Sequence, residues 1–285
     1  MPTGTRFVRR PRPARLRAPL GARRSGLGDL GLTTYRLTIA YDGSRFAGWA
    51  AQPGLRTLQD VLESALEAIL PEPASLTVAG RTDAGVHAWG QVASFEFDGA
   101  VPDRLARRLD AVLPRDVSVL AAEEAPAGFD ARRSALSRTY CYRILHSPTF
   151  SPFEQGRALW HPAELNRVAL DACAAAVVGT HDFTAFTPTE TEHVRFERVV
   201  KHCEWRDGDL PRSHPGTMLE LWIEADAFMR HMVRVLVGTM LEVGTGRRDL
   251  AGFTALLDGA PRDRAGETAP PEGLYLAAVA YRAGG

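Results

Sequence analysis

Between residues 35 and 281 the chain runs twice through one order of elements, strand–helix–strand–strand–helix–strand, and few folds accommodate that order. Tyr35–Tyr41 alternates apolar and polar residues as a strand does and ends on the turn pair Asp42-Gly43. Thr57 opens a helix through Leu70, with Leu58, Val61, Leu62, Ala65, Leu66 and Ile69 on one face; Pro71 and Pro73 end it. Strands follow near 75–79 and 90–97, then a helix over 102–113 stopped by Pro114, then a strand over 117–124. The second pass has a strand at Thr139–His146, a helix over 163–177 closing at Gly179, strands near 197–207 and 217–226, a helix at Met229–Val243 and a last strand at Leu274–Tyr281. The repeat is one of element order, without a residue-level repeat. It predicts an α+β fold in which two pseudo-symmetric βαββαβ halves, each ferredoxin-like (split βαβ), form a shared antiparallel sheet with a central cleft. The expected divisions are a basic extension over 1–33, an N-terminal half over 34–136 and a C-terminal half over 137–285. Ligands favour such junctions.

The segment Ala79-Gly80-Arg81-Thr82-Asp83-Ala84-Gly85-Val86-His87 lies between two of these strands. Two glycines bracket one carboxylate in a tight turn, and glycine lets a backbone take left-handed dihedrals or approach a ligand closely. Asp83 stands two residues from Arg81. An acid on a rigid turn beside a cation is arranged as a nucleophile. It is equally arranged to cap its own turn, and on the local pattern alone capping is the better-supported reading.

Charge is unevenly spread. Residues 1–32 hold eight arginines and one acid, Asp29, out of 34 basic and 34 acidic residues in the chain. The body therefore keeps 26 basic and 33 acidic residues, a formal −7. The head is rich in Pro and Gly and has no apolar period, the composition of a segment without its own core. An RNA-contacting arm, a targeting segment and an extension upstream of the true start all fit it. Lys201 is the one lysine of the body, which disfavours lysine-based covalent chemistry. The three cysteines, Cys141, Cys173 and Cys203, are odd in number and far apart, so the natural setting is a reducing cytoplasm. No apolar run is long enough to span a bilayer.

Three further stretches carry chemistry. Phe228-Met229-Arg230-His231-Met232-Val233-Arg234 opens the long second-half helix, and an arginine at a helix start needs a compensating anion. Asp83, across the expected cleft, is that anion for Arg230. Phe129 to Tyr142 mixes Arg132, Arg133 and Arg138 with aromatic residues, a mixture suited to phosphate contact and base stacking. Tyr140 and Tyr142 share one strand face. Gly273-Leu274-Tyr275-Leu276 begins an apolar strand. The chain lacks a G-x-S-x-G elbow, a Walker loop, a dinucleotide fingerprint and any zinc-type histidine spacing, leaving a metal-free and cofactor-free mechanism.

Taken in order, five motifs resemble the tRNA pseudouridine synthase A family over about residues 34–281. They are Tyr41-Asp42-Gly43 with Gly48-Trp49 and Thr57-Leu58-Gln59; Gly80 to Ala88 with Gly90-Gln91-Val92; Phe129 through Tyr140; Phe228 to Arg234; and Gly273 to Leu276. The resemblance implies an isomerase that converts uridine to pseudouridine in the anticodon arm of tRNA, without metal or redox cofactor, as a homodimer gripping one tRNA. Asp83 is then the catalytic nucleophile, acting on sugar or base or through a glycal. Arg81 helps extrude the nucleotide, Tyr140 stacks on the uracil, Arg230 pairs with Asp83 and Leu274 packs against the base. Arg132 is an RNA contact.

The chain departs from the family pattern at several places. Asp130 replaces a frequent histidine, Arg133 a frequent aromatic, Ala50-Ala51 a polar pair and Val235 a common asparagine, and the loop Thr187–Val194 is acidic. These bear on affinity and position choice rather than reaction type. A second reading, a tRNA-binding and folding protein without turnover, shares the cleft but does not need Asp83. A two-carboxylate glycosidase needs an acid opposite Asp83, and the motifs offer no obvious one.

Overall fold

The structure is a computed structural model that describes residues 32–99, 101–191, 194–211 and 213–282. The expected basic extension falls outside the described residues except at its end, where Thr33 already belongs to the first strand. Strand β1 (Thr33–Tyr41) buries Tyr35, Leu37, Ile39 and Tyr41, as its alternation demands. Helix α1 (Leu58–Glu67) starts at Thr57, whose hydroxyl accepts from the Asp60 amide. It stops three residues before the expected Leu70, where the Ile69 and Leu70 amides both turn back to the Leu66 carbonyl. Strand β2 shrinks to Thr77–Val78, whereas β3 (His87–Phe97) begins earlier than expected. Helix α2 (Leu105–Val112) and strand β4 (Val117–Glu124) follow.

The rest of the chain adds β5 (Ser137–His146), β6 (Leu159–His161), α3 (Arg167–Val177), β7 (Gly179–Asp182), β8 (Glu197–Gly208), β9 (Thr217–Ala225), α4 (Met232–Gly244), α5 (Leu250–Thr254) and β10 (Leu274–Ala280). The short elements β6, β7 and α5 were not legible in the sequence, since three to five residues are too few to display a period.

The strands form one large, mostly antiparallel sheet in the order β4-β1-β3-β10-β5-β9-β8-β7, with β2 on β3 and β6 on β5. Two pairings are parallel, β3 with β10 and β5 with β6. One edge of β3 is shared end to end. Ser94 and Ala93 pair with β2, while His87 and Ala88 pair with β10. The loop that carries Asp83 leaves the sheet between these two pairings. The same register aligns Leu276 of β10 with Tyr140 of β5, and Tyr140 with Ile223 of β9. Alternate residues of these strands enter one apolar core with Leu58, Leu62 and Leu66 of α1, Leu170 of α3 and Met232 and Leu236 of α4. That core fixes α4 relative to the sheet and sets its first turn against the Asp83 loop.

Candidate active site

The loop from Gly80 to Val86 is braced from below by a buried polar network. The Gln91 side-chain amide donates to the Gly80 carbonyl at 2.7 Å and reaches the Tyr41 hydroxyl at 3.4 Å. The Tyr41 hydroxyl and Thr82 Oγ1 share a 2.8 Å hydrogen bond. Burial pushes the Tyr41 phenol up to about 12, so it stays protonated and able to donate. From the side, the Trp49 amide donates to the Thr82 carbonyl at 3.0 Å. This approach requires Gly48, which sits at φ +101° and where a Cβ would stand 3.0 Å from that carbonyl. Gly85 closes the turn at φ +78° against the ring of Pro271. Gly80, the other bracketing glycine, needs no left-handed dihedral.

The turn closes through its backbone, with the Val86 amide donating to the Asp83 carbonyl at 3.2 Å. The Asp83 carboxylate faces α4 instead of capping the turn. Its Oδ2 lies 3.4 Å from Arg234 Nη1 and 3.5 Å from His231 Nε2. Arg234 is held by its own Nε–H, which donates to the Ala269 carbonyl at 2.7 Å. The expected partner, Arg230, does not pair with Asp83. The helix begins at Met232 rather than at Met229, because His231 takes a left-handed conformation (φ +62°, ψ −3°). Arg230 therefore precedes the helix, exposed on the cleft wall, with its carbonyl held by the Thr187 hydroxyl at 3.2 Å. A left-handed residue other than glycine costs about 1–2 kcal/mol. Among the described residues other than glycine, only Arg104 shares a positive φ with His231.

Asp83 lies in a cleft of about 1550 Å³. Tyr140 lines it, buried, with its ring edge against Phe228 at a centroid distance of 5.0 Å. Burial pushes the Tyr140 phenol far above its usual range, and the neighbouring Tyr41 and Asp83 add to the rise. Leu274 closes the apolar side of the cleft, and Arg81 and Arg132 stand exposed on its rim. The cleft thus gathers all six expected site residues, Asp83, Tyr140, Arg81, Arg230, Leu274 and Arg132.

Arg138, grouped in the sequence with arginines suited to phosphate contact, is a structural clamp. Its guanidinium donates to the carbonyls of Ala79 (2.8 Å), Arg132 (2.7 Å) and Asp226 (3.0 Å), tying the strand before the Asp83 loop to two other cleft segments. Burial lowers its pKa. Of the departures noted above, Asp130 accepts from the Arg132 and Arg133 amides at 2.9 and 2.8 Å, a local turn cap. Val235 is fully buried in the core. Glu190 and Thr191 of the acidic loop line the cleft, and part of that loop falls outside the described residues. Among the described residues no three His, Cys, Asp or Glu side chains gather as a metal site would require.

A long mixed sheet bearing an aspartate loop at the base of an arginine-rimmed cleft fits the pseudouridine synthases, and the comparison with known families agrees. The family model described as tRNA pseudouridine synthase matches residues 37–132 and 173–282, and the chain belongs to that family. A relative from Frankia casuarinae, called tRNA pseudouridine synthase A, is 44% identical over 88% of this chain and 90% of its own length. Proteins of the same name from Streptomyces griseus and Myxococcus xanthus are 42% and 39% identical, over 91% and 87% of this chain and 92% of each relative.

Proposed function

We propose that this protein isomerises uridine to pseudouridine in the anticodon arm of tRNA, with Asp83 as the nucleophile. The observation that carries the reading is the Asp83 carboxylate, held on one oxygen by two cationic or polar side chains of another chain segment, beside the buried phenol of Tyr140. The reaction is an isomerisation with no net change in atoms. The N-glycosidic bond breaks, the uracil turns, C5 bonds to the sugar C1′, the C5 proton leaves to solvent and N1 takes up a proton in its place. No redox partner is required for that balance. The target base must first leave its stack, at a cost of a few kcal/mol. Arg81, Arg132 and Arg230 on the cleft rim offset it through phosphate contacts, while Tyr140 and Leu274 receive the flat base.

The fold reading is part of the proposal. Residues 34–136 and 137–285 are two pseudo-symmetric ferredoxin-like halves, and the strand orders β4-β1-β3-β2 and β10-β5-β9-β8 support this correspondence. A homodimer that grips one tRNA belongs to the same reading. So does a cytoplasmic setting, which suits three free, buried cysteines.

The test uses unmodified tRNA carrying tritium at uridine C5. The full-length protein should release tritium and yield pseudouridine, and Asp83→Ala should bind the same tRNA and release none. Tritium release by Asp83→Ala would overturn the nucleophile. Refolding of tRNA by both proteins without pseudouridine would instead make this a tRNA-binding protein without turnover.

A further inference from the structure

We infer that His231 is a positioning residue for Asp83, and that its left-handed backbone exists to aim its imidazole at the carboxylate. This rests on the assignment of Asp83 as nucleophile.

His231 occupies the residue before the first turn of α4, where a side chain ordinarily caps the helix, yet it makes no capping hydrogen bond. Its ring turns away to bring Nε2 within 3.5 Å of Asp83 Oδ2. The backbone on either side is fixed. The Val235 amide donates to the His231 carbonyl at 2.9 Å, the Met232 amide to the Met229 carbonyl at 3.2 Å, and Thr187 holds the Arg230 carbonyl. A position at φ +62° is one that glycine would occupy without strain, so a histidine there calls for a reason in its side chain. Both His231 and Arg234 meet the same carboxylate oxygen. Two contacts on Oδ2 from one helix end hold that oxygen and leave Oδ1 outside both contacts.

Burial of the ring favours its neutral form. Burial lowers its pKa first; Asp83 opposes that, and Arg234, Arg230 and Arg262 reinforce it. A neutral ring in the Nε2–H tautomer supplies a donor to Oδ2 without a second full positive charge, which would draw electron density from the nucleophile. Arg234 supplies the charge, and His231 supplies the direction.

Three variants test this in the tritium-release assay, with thermal stability measured alongside: His231→Gly, His231→Gln and, as control, Asp83→Ala. His231→Gly removes the backbone strain, so its Tm should equal or exceed that of the wild type. Its kcat should nevertheless fall by roughly tenfold to a hundredfold, with KM for tRNA little changed, because a misdirected nucleophile costs rate rather than binding. His231→Gln restores a donor near the Nε2 position and should recover much of the lost kcat. Wild-type kcat in His231→Gly, a loss confined to KM, or a His231→Gln variant no better than His231→Gly would each overturn the inference while leaving Asp83 in place. Turnover by Asp83→Ala would instead overturn the nucleophile on which it rests.

Discussion

Arg234 Nη1 lies 3.4 Å from Asp83 Oδ2, a contact between residues 151 positions apart in the chain. It joins the loop leaving β2 to the first turn of α4. It also separates two arginines of one motif, because Arg230, the partner expected from the sequence, stands four residues earlier, exposed on the cleft wall.

That separation predicts different kinetics for the two. Arg234→Gln removes the fixed cation beside Asp83 and should lower kcat by roughly a hundredfold. Arg230→Gln should raise KM for tRNA severalfold and weaken its salt dependence, with kcat nearly intact. Steady-state tritium release at two ionic strengths separates these outcomes, and equal kcat losses in both variants would contradict the pairing.

The network under the Asp83 loop should be felt as stability. Tyr41→Phe deletes the hydroxyl's buried hydrogen bonds with Thr82 and Gln91 and should cost about 1–2 kcal/mol. Gln91→Leu leaves the half-buried Gly80 carbonyl without its donor and should cost about 1 kcal/mol. Urea unfolding gives both values, and a Gln91→Leu variant as stable as the wild type would show that the loop holds itself.

Arg138→Met should be clearly destabilising. It strips the donor from the Ala79, Arg132 and Asp226 carbonyls together, at about 1–3 kcal/mol for that of buried Ala79 and less for the half-buried Asp226 and exposed Arg132 carbonyls. Arg138→Lys should rescue little, since one ammonium cannot span three acceptors that a planar guanidinium reaches. Differential scanning calorimetry tests both.

Acid should weaken the fold in two stages. Burial holds the His87 imidazole below its usual 6.5, with Asp42 opposing the shift. The unfolded chain therefore binds more protons than the folded one, and stability falls as pH drops below 6.5. His161 and His231, also lowered by burial, act in the same direction. The second stage lies below the usual 3.8 of Asp116, whose carboxyl is held low by the Arg56 hydrogen bonds, so stability present above 3.8 is lost as the carboxyl protonates. In His87→Asn, which keeps an acceptor for the Gly43 amide, the loss in urea midpoint between about pH 7 and about pH 5 should shrink. An unchanged loss would show that His87 does not drive the first stage.

Much of the fold was legible in the sequence. The alternation of Tyr35, Leu37, Ile39 and Tyr41 and the helical spacing of Leu58, Leu62 and Leu66 report directly which face each element buries, because burial is what selects those residues. The helix ends were less legible. The early stop of α1 and the late start of α4 depend on single backbone conformations, such as that of His231, which a period cannot register. Membership of the candidate site was readable from its motifs, and partnership within it was not. His231 and Arg138 lie inside motifs that the sequence singles out, but nothing in those motifs marks what either side chain touches. One was a histidine among eight, the other an arginine among many.

The sequence by itself determined the elements, their order and the residues able to do chemistry, since these follow from local propensity and from which side chains can be buried. Only the tertiary structure decided that Arg234 and His231, rather than Arg230, meet Asp83. That choice depends on the left-handed turn before Met232 and on how the shared core seats α4 against the sheet. Both are set by packing between segments far apart in the chain; Arg230 and Arg234 lie about one helical turn apart in sequence, and the start of α4 at Met232 leaves the first before the helix and puts the second in its first turn.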